Sequence, residues 1–535
     1  MKSQYLLAAL LLAGTSLAAP PLAGAADTPA SAPAAKAPAR PAVAPPRKPP
    51  GIDKIETIVV IYAENRSFDD LYGHFPGANG LQNATRARYL QRDRDGSVLK
   101  ELPPIWGGLT AKGVTPPVTE AETQHLPNHP FAINDPKGFN VPLSIVTRDL
   151  WHLFYENQMQ IDGGKNDKFA AYADSGGLTM GHYNTDPKTL PLWHIARQYV
   201  LADNFFMGAF GGSFLNHFWL ICACTPYYPH ADESAAKDKI AVVNPDGVSL
   251  KLADNSPKSA LDGIPKFVRD GTITPDFYAV NTMQPPFQPS GAPPMPHHPE
   301  YADPANPSTL PPQMEVNIGD LLSSRHVSWA WYAGAWQAAL DGKNATPVPN
   351  FQYHHQPFNY FADMAPGQAA RAEHLRDGGM NGVEFIKAID EGKLPQVTFY
   401  KPQGNLNEHS GYAAVLAGDQ HIAEIIAHLQ KSPQWAHMLV IVTYDENGGL
   451  WDHVAPPKAD RWGPGSRIPA IIISPYAKHG YVDHTQYDTT SILRFITERF
   501  SLPMLPGLRV RDAALKAHGH PPMGDLTHAL DLARR

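Results

Sequence analysis

Acidic and amide side chains follow directly after two apolar runs of the sequence. Glu64 and Asn65 come after "IETIVVIYA", and Asp445 and Glu446 come after "MLVIVTY". Such groups are costly to bury without partners, and open α/β sheets bind ligands beyond the carboxyl ends of their strands. Carboxylates gathered at one sheet edge repel one another, and a divalent cation removes that repulsion. The pattern therefore predicts a metal site formed by Glu64, Asp445 and Glu446.

The ligand types narrow the choice of metal without fixing it. Oxygen ligands favour a hard ion such as Mg²⁺ or Ca²⁺. Histidines such as His409, in the stretch "KPQGNLNEHSG" after a third apolar run, leave Zn²⁺ open as well. We expect one divalent ion. The alternative is that each acid only caps the segment after it, which would explain one pair more readily than the whole set.

The stretch "GGSFLNHFWL" places a hydroxyl where an anion would bind. Its apolar part predicts a helix from Phe214 onward, so Ser213 falls at or near the helix N-terminus. Backbone N–H groups and the helix dipole favour an anion there, and a metal contacting the hydroxyl would make it a nucleophile. The pair Gly211-Gly212 would let a phosphate approach the backbone closely. The alternative is that Ser213 only caps the helix.

Apolar runs alternating with helical patterns predict the scaffold of this site. Short runs rich in Val and Ile are typical of strands buried on both faces of a mostly parallel sheet. These runs are Ile55–Ala63, Tyr199–Phe206, Val327–Tyr332, Gln396–Tyr400, Met438–Tyr444 and Ile468–Ser474. Among the segments between and after them, His421–Ser432 and Thr490–Phe500 have apolar residues at helical spacing. This alternation predicts an α/β fold.

Three long proline-rich stretches interrupt this pattern. They are Pro103–Pro130, Pro285–Pro312 and Pro347–Pro366. Each is too long to be a simple connection between two elements. We expect surface insertions that frame a cleft within a single domain from residue 52 to residue 535.

The N-terminal sequence predicts export. Lys2 precedes the apolar stretch Tyr5–Ala13, and the small residues up to Ala25 fit a signal-peptidase cleavage site. We expect a Sec-type signal peptide over residues 1–25, with cleavage at Ala18 as the alternative, and a disordered Pro/Ala-rich linker over residues 26–51. The apolar stretch is short for a bilayer span, so we expect no stable membrane insertion. The protein would be periplasmic or secreted.

Net charge and cysteine content bear on other classes of protein. The formal charge of −7 over 535 residues lacks the basic excess that nucleic-acid and anionic-membrane binders need. Cys222 and Cys224 are separated by one residue, a spacing that strains a disulfide, so we expect two buried thiols. Nothing in the sequence sets an oligomeric state.

Several motifs taken together resemble a bacterial phosphoesterase family. They are "AENRSFDD", "GGKNDKF", "GGSFLNH", "NEHSG", "YDENGGLWDHV" and "RIPAIIISPY", in order between Ile55 and Phe500. The family joins acid phosphatases and non-haemolytic phospholipases C, and the sequence is most similar to the respiratory-burst-inhibiting acid phosphatases. The resemblance implies an alkaline-phosphatase-like sandwich with a mostly parallel central sheet, helices on both faces and long loop insertions.

The resemblance also implies roles for individual residues. Ser213 corresponds to a nucleophile that forms a phosphoserine intermediate. Asn65 corresponds to an amide that binds a phosphate oxygen. Glu64, Asp445 and Glu446, together with the Ser213 hydroxyl, correspond to ligands of the metal ion.

Four histidines and a lysine complete the implied site. His152 matches a histidine upstream of the Gly-Gly-Lys motif, and His409 matches the histidine of the Glu-His motif. His409 or His355 would protonate the leaving group. His354 and Lys165 would contact the substrate. The alternative for each histidine is a solvated loop residue or, for His152, a satisfied core residue, and Lys165 could be a surface lysine.

Hydrolysis of small phosphomonoesters at acidic pH is the expected function. Protonated histidines would hold the phosphate best below their ordinary pKa of about 6.5. A phospholipase C-type phosphodiesterase is the alternative. Family phospholipases usually carry further C-terminal β-domains, whereas this chain ends soon after the pattern Thr490–Phe500. An inactive phosphate- or metal-binding protein is less favoured, because Ser213 and the metal acids are all present.

Overall fold

The computed structural model describes residues 48–342 and 351–533. The expected signal peptide, residues 1–25, and most of the expected linker, residues 26–51, lie outside the described residues. Most buried apolar side chains from Ile52 to Leu530 belong to one continuous cluster, and a second, smaller cluster includes Leu102, Phe169 and Trp451. The domain boundary at residue 52 stays a prediction.

A central sheet of eight strands organises the described chain. The strands are β1 (Thr57–Ala63), β2 (Val200–Ala202), β3 (Trp329–Gly334), β4 (Leu375–Gly379), β5 (Val397–Lys401), β6 (Met438–Tyr444), β7 (Ala470–Ile473) and β8 (Tyr481–Asp483). Their order across the sheet is β8-β2-β7-β6-β1-β5-β3-β4. Strand β7 is antiparallel to both neighbours, and the other neighbouring pairs are parallel. The predicted mostly parallel sheet is confirmed.

Burial explains why the predicted runs become strands. Every residue of β1, β3, β5 and β6 is buried, as expected for strands covered on both faces. Each of the six predicted runs overlaps one strand of this sheet. The sequence did not reveal β4 and β8, because "LRDGG" has little apolar character and β8 is only three residues long.

Twelve helices surround this sheet in the described parts of the chain. They are α1 (Phe68–Tyr72), α2 (Arg86–Tyr89), α3 (Phe154–Ile161), α4 (Pro191–Gln198), α5 (Ser213–Ile221), α6 (Ile318–Ser324), α7 (Trp336–Leu340), α8 (Ala369–His374), α9 (Val383–Asp390), α10 (Val415–Lys431), α11 (Thr489–Arg499) and α12 (Pro506–Ala517). The two predicted helices fall on α10 and α11. None of these helices combines the length and apolar character needed to cross a bilayer.

Three short two-stranded pairings complete the regular structure. They join Phe131–Ala132 with Gly181–His182, Phe205–Phe206 with Tyr487–Asp488, and Pro294–Met295 with His298–Ala302.

Helices cover both faces of the sheet. Successive strand residues point to opposite faces. Ile61 is in register with Tyr400, so Tyr62 and Tyr400 point to opposite faces. The Tyr62 hydroxyl donates to the Asn216 carbonyl oxygen in α5. The Tyr400 hydroxyl bonds Nε2 of His421 in α10. Helices α5 and α10 therefore lie on opposite faces, as the predicted sandwich requires.

The third proline-rich stretch is wrongly predicted as a surface insertion in its described part. His354 and His355 are buried in a 3₁₀ helix, Tyr353–His355. Tyr360 is also buried and packs edge-on against Phe218 of α5. The aromatic and imidazole rings of this stretch pack in the interior, although its proline content alone indicated a position at the surface.

Cys222 and Cys224 form a disulfide, so the prediction of two free thiols is wrong. Ala223 between them adopts a left-handed φ of 48°. With this turn the two Cα atoms are 5.1 Å apart, within the range that a disulfide spans.

Candidate active site

The register of the sheet brings Glu64 and Asp445 side by side. Strands β1 and β6 are parallel neighbours with Ala63 opposite Tyr444, so the residues that follow each strand meet at its carboxyl edge. The Asn65 backbone N–H donates to Asp445 Oδ1 at 3.1 Å and ties the two strand ends together. Both carboxylates are fully buried.

Lys401 supplies a buried positive charge beside these carboxylates. It ends β5, and its ammonium lies 2.7 Å from Glu64 Oε1 and 3.8 Å from Asp445 Oδ2. The ammonium also lies over the Tyr62 ring, 5.1 Å from its centroid. Sequence reasoning missed Lys401, although it follows the predicted strand Gln396–Tyr400 just as Glu64 follows its own strand.

Two histidines flank Glu64. His355 Nε2 is 2.5 Å from Glu64 Oε1, and His409 Nε2 is 3.7 Å from Glu64 Oε2. Burial alone would raise the pKa of Glu64, but Lys401 and the two histidines hold it well below its ordinary value. Burial lowers the pKa of both His355 and His409. At neutral pH, Glu64 is therefore a carboxylate held among donors.

The other two acids keep oxygen atoms unused. Asp445 Oδ1 accepts from the backbone N–H groups of Asn65 and Glu446, at 3.1 and 2.8 Å. Asp445 Oδ2 and Glu446 Oε1 have no hydrogen-bond partner among the residues that the structure describes. Burial and the charge of Glu64 raise the pKa of Asp445 to about 6, and burial raises the pKa of Glu446 well above its usual range. Both carboxylates would be stabilised by a cation.

His152 faces Glu446 and carries a positive charge. Its Nδ1 lies 2.5 Å from the Leu150 carbonyl oxygen, so Nδ1 donates there and Nε2 points towards the site. Nε2 lies 3.9 Å from Glu446 Oε1. Burial would lower the pKa of His152, but Glu446 and Asp149 outweigh burial and raise it to about 9. His152 is therefore protonated at neutral pH.

Ser213 is the first residue of α5 and does not cap it. The N-cap is Gly212, and the Ser213 hydroxyl donates to Asn65 Oδ1 at 3.4 Å. A Cβ added at Gly212 would lie 2.8 Å from the His152 carbonyl oxygen. Gly212 thus makes room for the His152 backbone, and it also lines the cavity beside Ser213. The close approach of a phosphate to this backbone stays a prediction.

Asn65 and His152 present two donors to the same space. Asn65 has a left-handed φ of 61°, a conformation that asparagine tolerates. Its Nδ2 lies 3.5 Å from His152 Nε2. An amide nitrogen and a protonated imidazole nitrogen are both donors and cannot bond each other. Both are free to donate to an anionic oxygen beside the Ser213 hydroxyl.

Two further buried histidines lie close to the acids. His217 is one turn after Ser213 in α5, and its Nδ1 donates to the Ser213 carbonyl oxygen at 2.7 Å. The rings of His217 and His354 are 5.3 Å apart. Within the described chain, Nε2 of each has no hydrogen-bond partner. Burial lowers the pKa of both histidines well below the usual value, so both are neutral. His217 was missed, although helical spacing puts it on the face of Ser213.

The donor set around Glu64 fits a divalent cation. One ligand atom each from Glu64, His217 and Asp445 lie within 4.8 Å of one another, and the same holds for Glu64, His354 and His355. The unused lone pairs of Asp445 Oδ2, His217 Nε2 and His354 Nε2 are what such an ion would engage. A mixed nitrogen and oxygen set favours Zn²⁺ or a similar transition ion over Ca²⁺.

Two predicted residues are placed differently from the rest. Lys165 is not brought to the site, because its side chain is 66% exposed and its ammonium pairs with Asp162 at 2.8 Å. The left-handed turn at Gly163 and Gly164 precedes it. Glu446 belongs to neither group of candidate metal ligands around Glu64, and its carboxylate faces the His152 cation instead.

A cavity of about 270 Å³ connects the site to solvent. Ser213, His152, His354 and His409 line it together with Asp149. A neighbouring cavity of about 730 Å³ shares Asp149 and is lined largely by residues 107–120. The first proline-rich stretch therefore frames a cleft, as predicted, and the 270 Å³ space has room for a phosphoryl group.

Residues 55–503 match the model of the Phosphoesterase family. The chain belongs to this family. Phospholipase C B of Mycobacterium tuberculosis is 24% identical over 522 residues, which cover 91% of this chain and 79% of that protein. Non-hemolytic phospholipase C of Burkholderia pseudomallei is 28% identical over 176 residues, or 27% of this chain and 25% of that one. A solved structure of a protein in the alkaline phosphatase superfamily from Vibrio parahaemolyticus has a TM-score of 0.24, with 14% identity over 37% of this chain and 50% of that chain.

Membership of the Phosphoesterase family confirms the resemblance at the level of the family. It supports hydrolysis of phosphoric esters as the activity of this phosphoesterase, and the alkaline-phosphatase-like α/β class agrees with the observed sheet. The acid-phosphatase subgroup stays a prediction.

Proposed function

We propose that this phosphoesterase is an exported, metal-dependent phosphatase that hydrolyses phosphomonoesters at acidic pH through a phosphoserine intermediate. One observation carries the proposal. The Ser213 hydroxyl contacts the Asn65 amide, which in turn faces the His152 cation. The Asn65 backbone bonds Asp445, and His152 faces Glu446.

Asn65 and His152 would hold the phosphoryl group. Their two N–H donors face a common space, and the His152 charge attracts a phosphate anion. Catalysis of phosphoryl transfer depends mainly on such positioning and electrostatics. A divalent ion held by Glu64, Asp445 and a neighbouring histidine would supply Lewis-acid chemistry and lower the pKa of the Ser213 hydroxyl.

Ser213 would attack phosphorus. The new bond joins Ser213 Oγ to phosphorus while the bond from phosphorus to the leaving oxygen breaks. Asp445, whose pKa is raised by burial and lowered by the neighbouring Ser213 hydroxyl, would receive the hydroxyl proton. His409 Nδ1 is engaged by the Ser410 carbonyl oxygen, so Nε2 is the nitrogen that can protonate the leaving alkoxide. Water then hydrolyses the phosphoserine.

An acidic optimum follows from His409 in this scheme. Burial lowers the pKa of His409. Its protonated, acid-donating form therefore accumulates only below the ordinary histidine pKa of about 6.5. His152 stays protonated throughout this range, because its pKa is raised to about 9.

The test is the variant Ser213→Ala, with Ser474→Ala as its control. Ser474 is buried and donates to the Met438 carbonyl oxygen away from the site. We expect Ser213→Ala to lower kcat on p-nitrophenyl phosphate by about 10³-fold or more, with an unchanged Tm and unchanged metal content. The wild-type protein, quenched in acid during turnover, should carry phosphate on Ser213 by mass spectrometry. Turnover that persists in Ser213→Ala would refute the nucleophile.

A phospholipase C-type phosphodiesterase is the second candidate, since the relatives named above are phospholipases C. Comparing kcat/KM on p-nitrophenyl phosphate and p-nitrophenylphosphorylcholine separates the two functions. We expect the monoester to be preferred. A strong preference for the choline diester would reverse the ranking.

Export rests on the N-terminal sequence. We expect the full chain, expressed in a Gram-negative host, to be recovered from the periplasm or medium with a mature N-terminus at Ala26. A cytoplasmic protein that retains Met1 or Lys2 would contradict export.

A further inference from the structure

Lys401 and a metal ion would have to share the same carboxylates. Lys401 is fully buried, and its ammonium contacts Glu64 Oε1 at 2.7 Å and approaches Asp445 Oδ2 at 3.8 Å. Glu64 and Asp445 also belong to the group of candidate ligand atoms that lie within 4.8 Å of one another. A bound divalent ion would thus lie within a few ångströms of a lysine ammonium, and the two cations repel each other.

The geometry leaves separate oxygen atoms for the two cations. Glu64 Oε1 lies 2.7 Å from the Lys401 ammonium and 2.5 Å from His355 Nε2. Glu64 Oε2 lies 3.7 Å from His409 Nε2 and has no hydrogen-bond partner among the described residues. Lys401 therefore holds Glu64 so that a single oxygen is offered to the ion.

Lys401 changes the net charge of the site when a divalent ion is bound. Glu446 is offset by the His152 cation. Glu64 and Asp445 with Lys401 then leave one net negative charge, and a divalent ion turns this into one net positive charge. Without Lys401 the same two carboxylates and the ion would be neutral. A net positive cluster next to Ser213 attracts a phosphoryl dianion, whereas a neutral one does not.

We propose that Lys401 is a fixed positioning cation that weakens the hold of Glu64 and Asp445 on the metal ion and makes the loaded site positive for a phosphoryl dianion. The proposal rests on the metal-dependent function proposed above. It assigns a role to a residue outside the acids, histidines and serine of the expected site.

The variant Lys401→Met tests this role, because it keeps the length of the side chain and removes its charge. Gln403→Met is the matched control: Gln403 lies two residues further on, is equally buried, and bonds Asn381 and Asn405 rather than the acids. Lys401→Gln is a second neutral variant in case Lys401→Met does not fold. Calorimetry on the full chain measures the Kd of Zn²⁺ for the metal-free protein and the Kd of inorganic phosphate for the loaded protein.

The two affinities should change in opposite directions. We expect Lys401→Met to bind Zn²⁺ at least about tenfold more tightly, because a repelling charge is gone, and to bind phosphate at least about tenfold more weakly. Gln403→Met should change neither value. A lysine that only supports the fold would leave both affinities unchanged or weaken both, and either missing change overturns the proposal. A wild-type chain that binds neither Zn²⁺ nor Mg²⁺ would instead refute the metal site and this inference with it. Metal and phosphate binding without turnover would refute the proposed enzymatic function but not the role of Lys401.

Discussion

Two buried charged clusters follow the same pair of strands, and they differ in how their charges are satisfied. The site cluster contains Glu64, Asp445, Glu446 and Lys401. The arginine cluster contains Asp69, Asp452, His453 and Arg467. Asp69 lies after β1, Asp452 and His453 lie after β6, and Arg467 lies just before β7. Both are almost completely excluded from solvent.

The arginine cluster is closed on itself. Arg467 donates from Nε to Asp452 at 3.0 Å and from Nη2 to Asp69 at 3.1 Å. His453 Nδ1 bonds the other oxygen of Asp69 at 2.7 Å. The site cluster, in contrast, leaves Asp445 Oδ2 and Glu446 Oε1 without hydrogen-bond partners in the described chain. Buried polar atoms are nearly always paired, so the open oxygens point to a ligand.

The comparison shows that the two buried charged clusters have different roles. The hydrogen bonds of Arg467 fix the loops after β1 and β6, whereas the acids of the site cluster have oxygen atoms available to bind a cation. The arginine cluster should therefore matter for stability and the site cluster for turnover.

Removing Arg467 is expected to have the largest effect on stability. Arg467→Met leaves Asp69 and Asp452 buried beside each other without their cation, at a cost of about 3–5 kcal/mol in the free energy of unfolding. Urea denaturation measures this loss. Arg461→Met is the control, since Arg461 pairs with Asp276 on the surface, and it should cost less than about 1 kcal/mol. Equal losses of stability in Arg467→Met and Arg461→Met would contradict a stabilising role of the arginine cluster.

Asp445→Asn should show the reverse pattern. It removes a metal-binding carboxylate, so we expect kcat/KM on p-nitrophenyl phosphate to fall by roughly 10²–10³-fold. The metal-free variant should be at least as stable as the wild type, since burial already disfavours the charge of Asp445, whose pKa is raised to about 6. The partner experiment is Asp452→Asn, which should lose stability and keep turnover in the folded fraction.

Glu156 tests whether an unpartnered carboxyl alone marks a binding site. In the described chain neither of its carboxyl oxygens has a hydrogen-bond partner, and burial raises its pKa to about 8. Because the folded-state pKa exceeds the unfolded value, the folded chain binds the extra proton and loses stability as pH rises from about 4.5 towards 8. We expect Glu156→Gln to remove a loss of about 2.5 kcal/mol in the free energy of unfolding between pH 5 and pH 7, measured by urea denaturation at each pH. Turnover of Glu156→Gln should be unchanged. Lost turnover would show that Glu156, like the site acids, takes part in the reaction.

Metal addition should stabilise through the site cluster alone. Zn²⁺ at 100 times its Kd should raise the free energy of unfolding of the wild type by about 2.7 kcal/mol. Arg467→Met should gain as much, whereas Asp445→Asn should gain little. Thermal denaturation with and without a chelator measures the three gains. A full gain in Asp445→Asn would place the ion elsewhere.

The sequence by itself determined the strands and the acids at their ends. The runs that became β1 and β6 are continuous and apolar, so local pattern was sufficient to predict buried parallel strands. Glu64 and Asp445 follow these strands directly, and parallel pairing then places them together without further information. Ser213 was predicted for the same kind of reason, because Gly-Gly before an apolar helix is a local pattern.

Only the tertiary structure decided which other charges join them. Lys401 and His217 reach the site, whereas Lys165 turns away to solvent. Their distances depend on packing between distant segments, and a lone lysine or histidine carries no local pattern that reports such packing. The folding of His354 and His355 into the interior likewise depends on aromatic contacts with α5, which act across the fold and leave no period in the sequence.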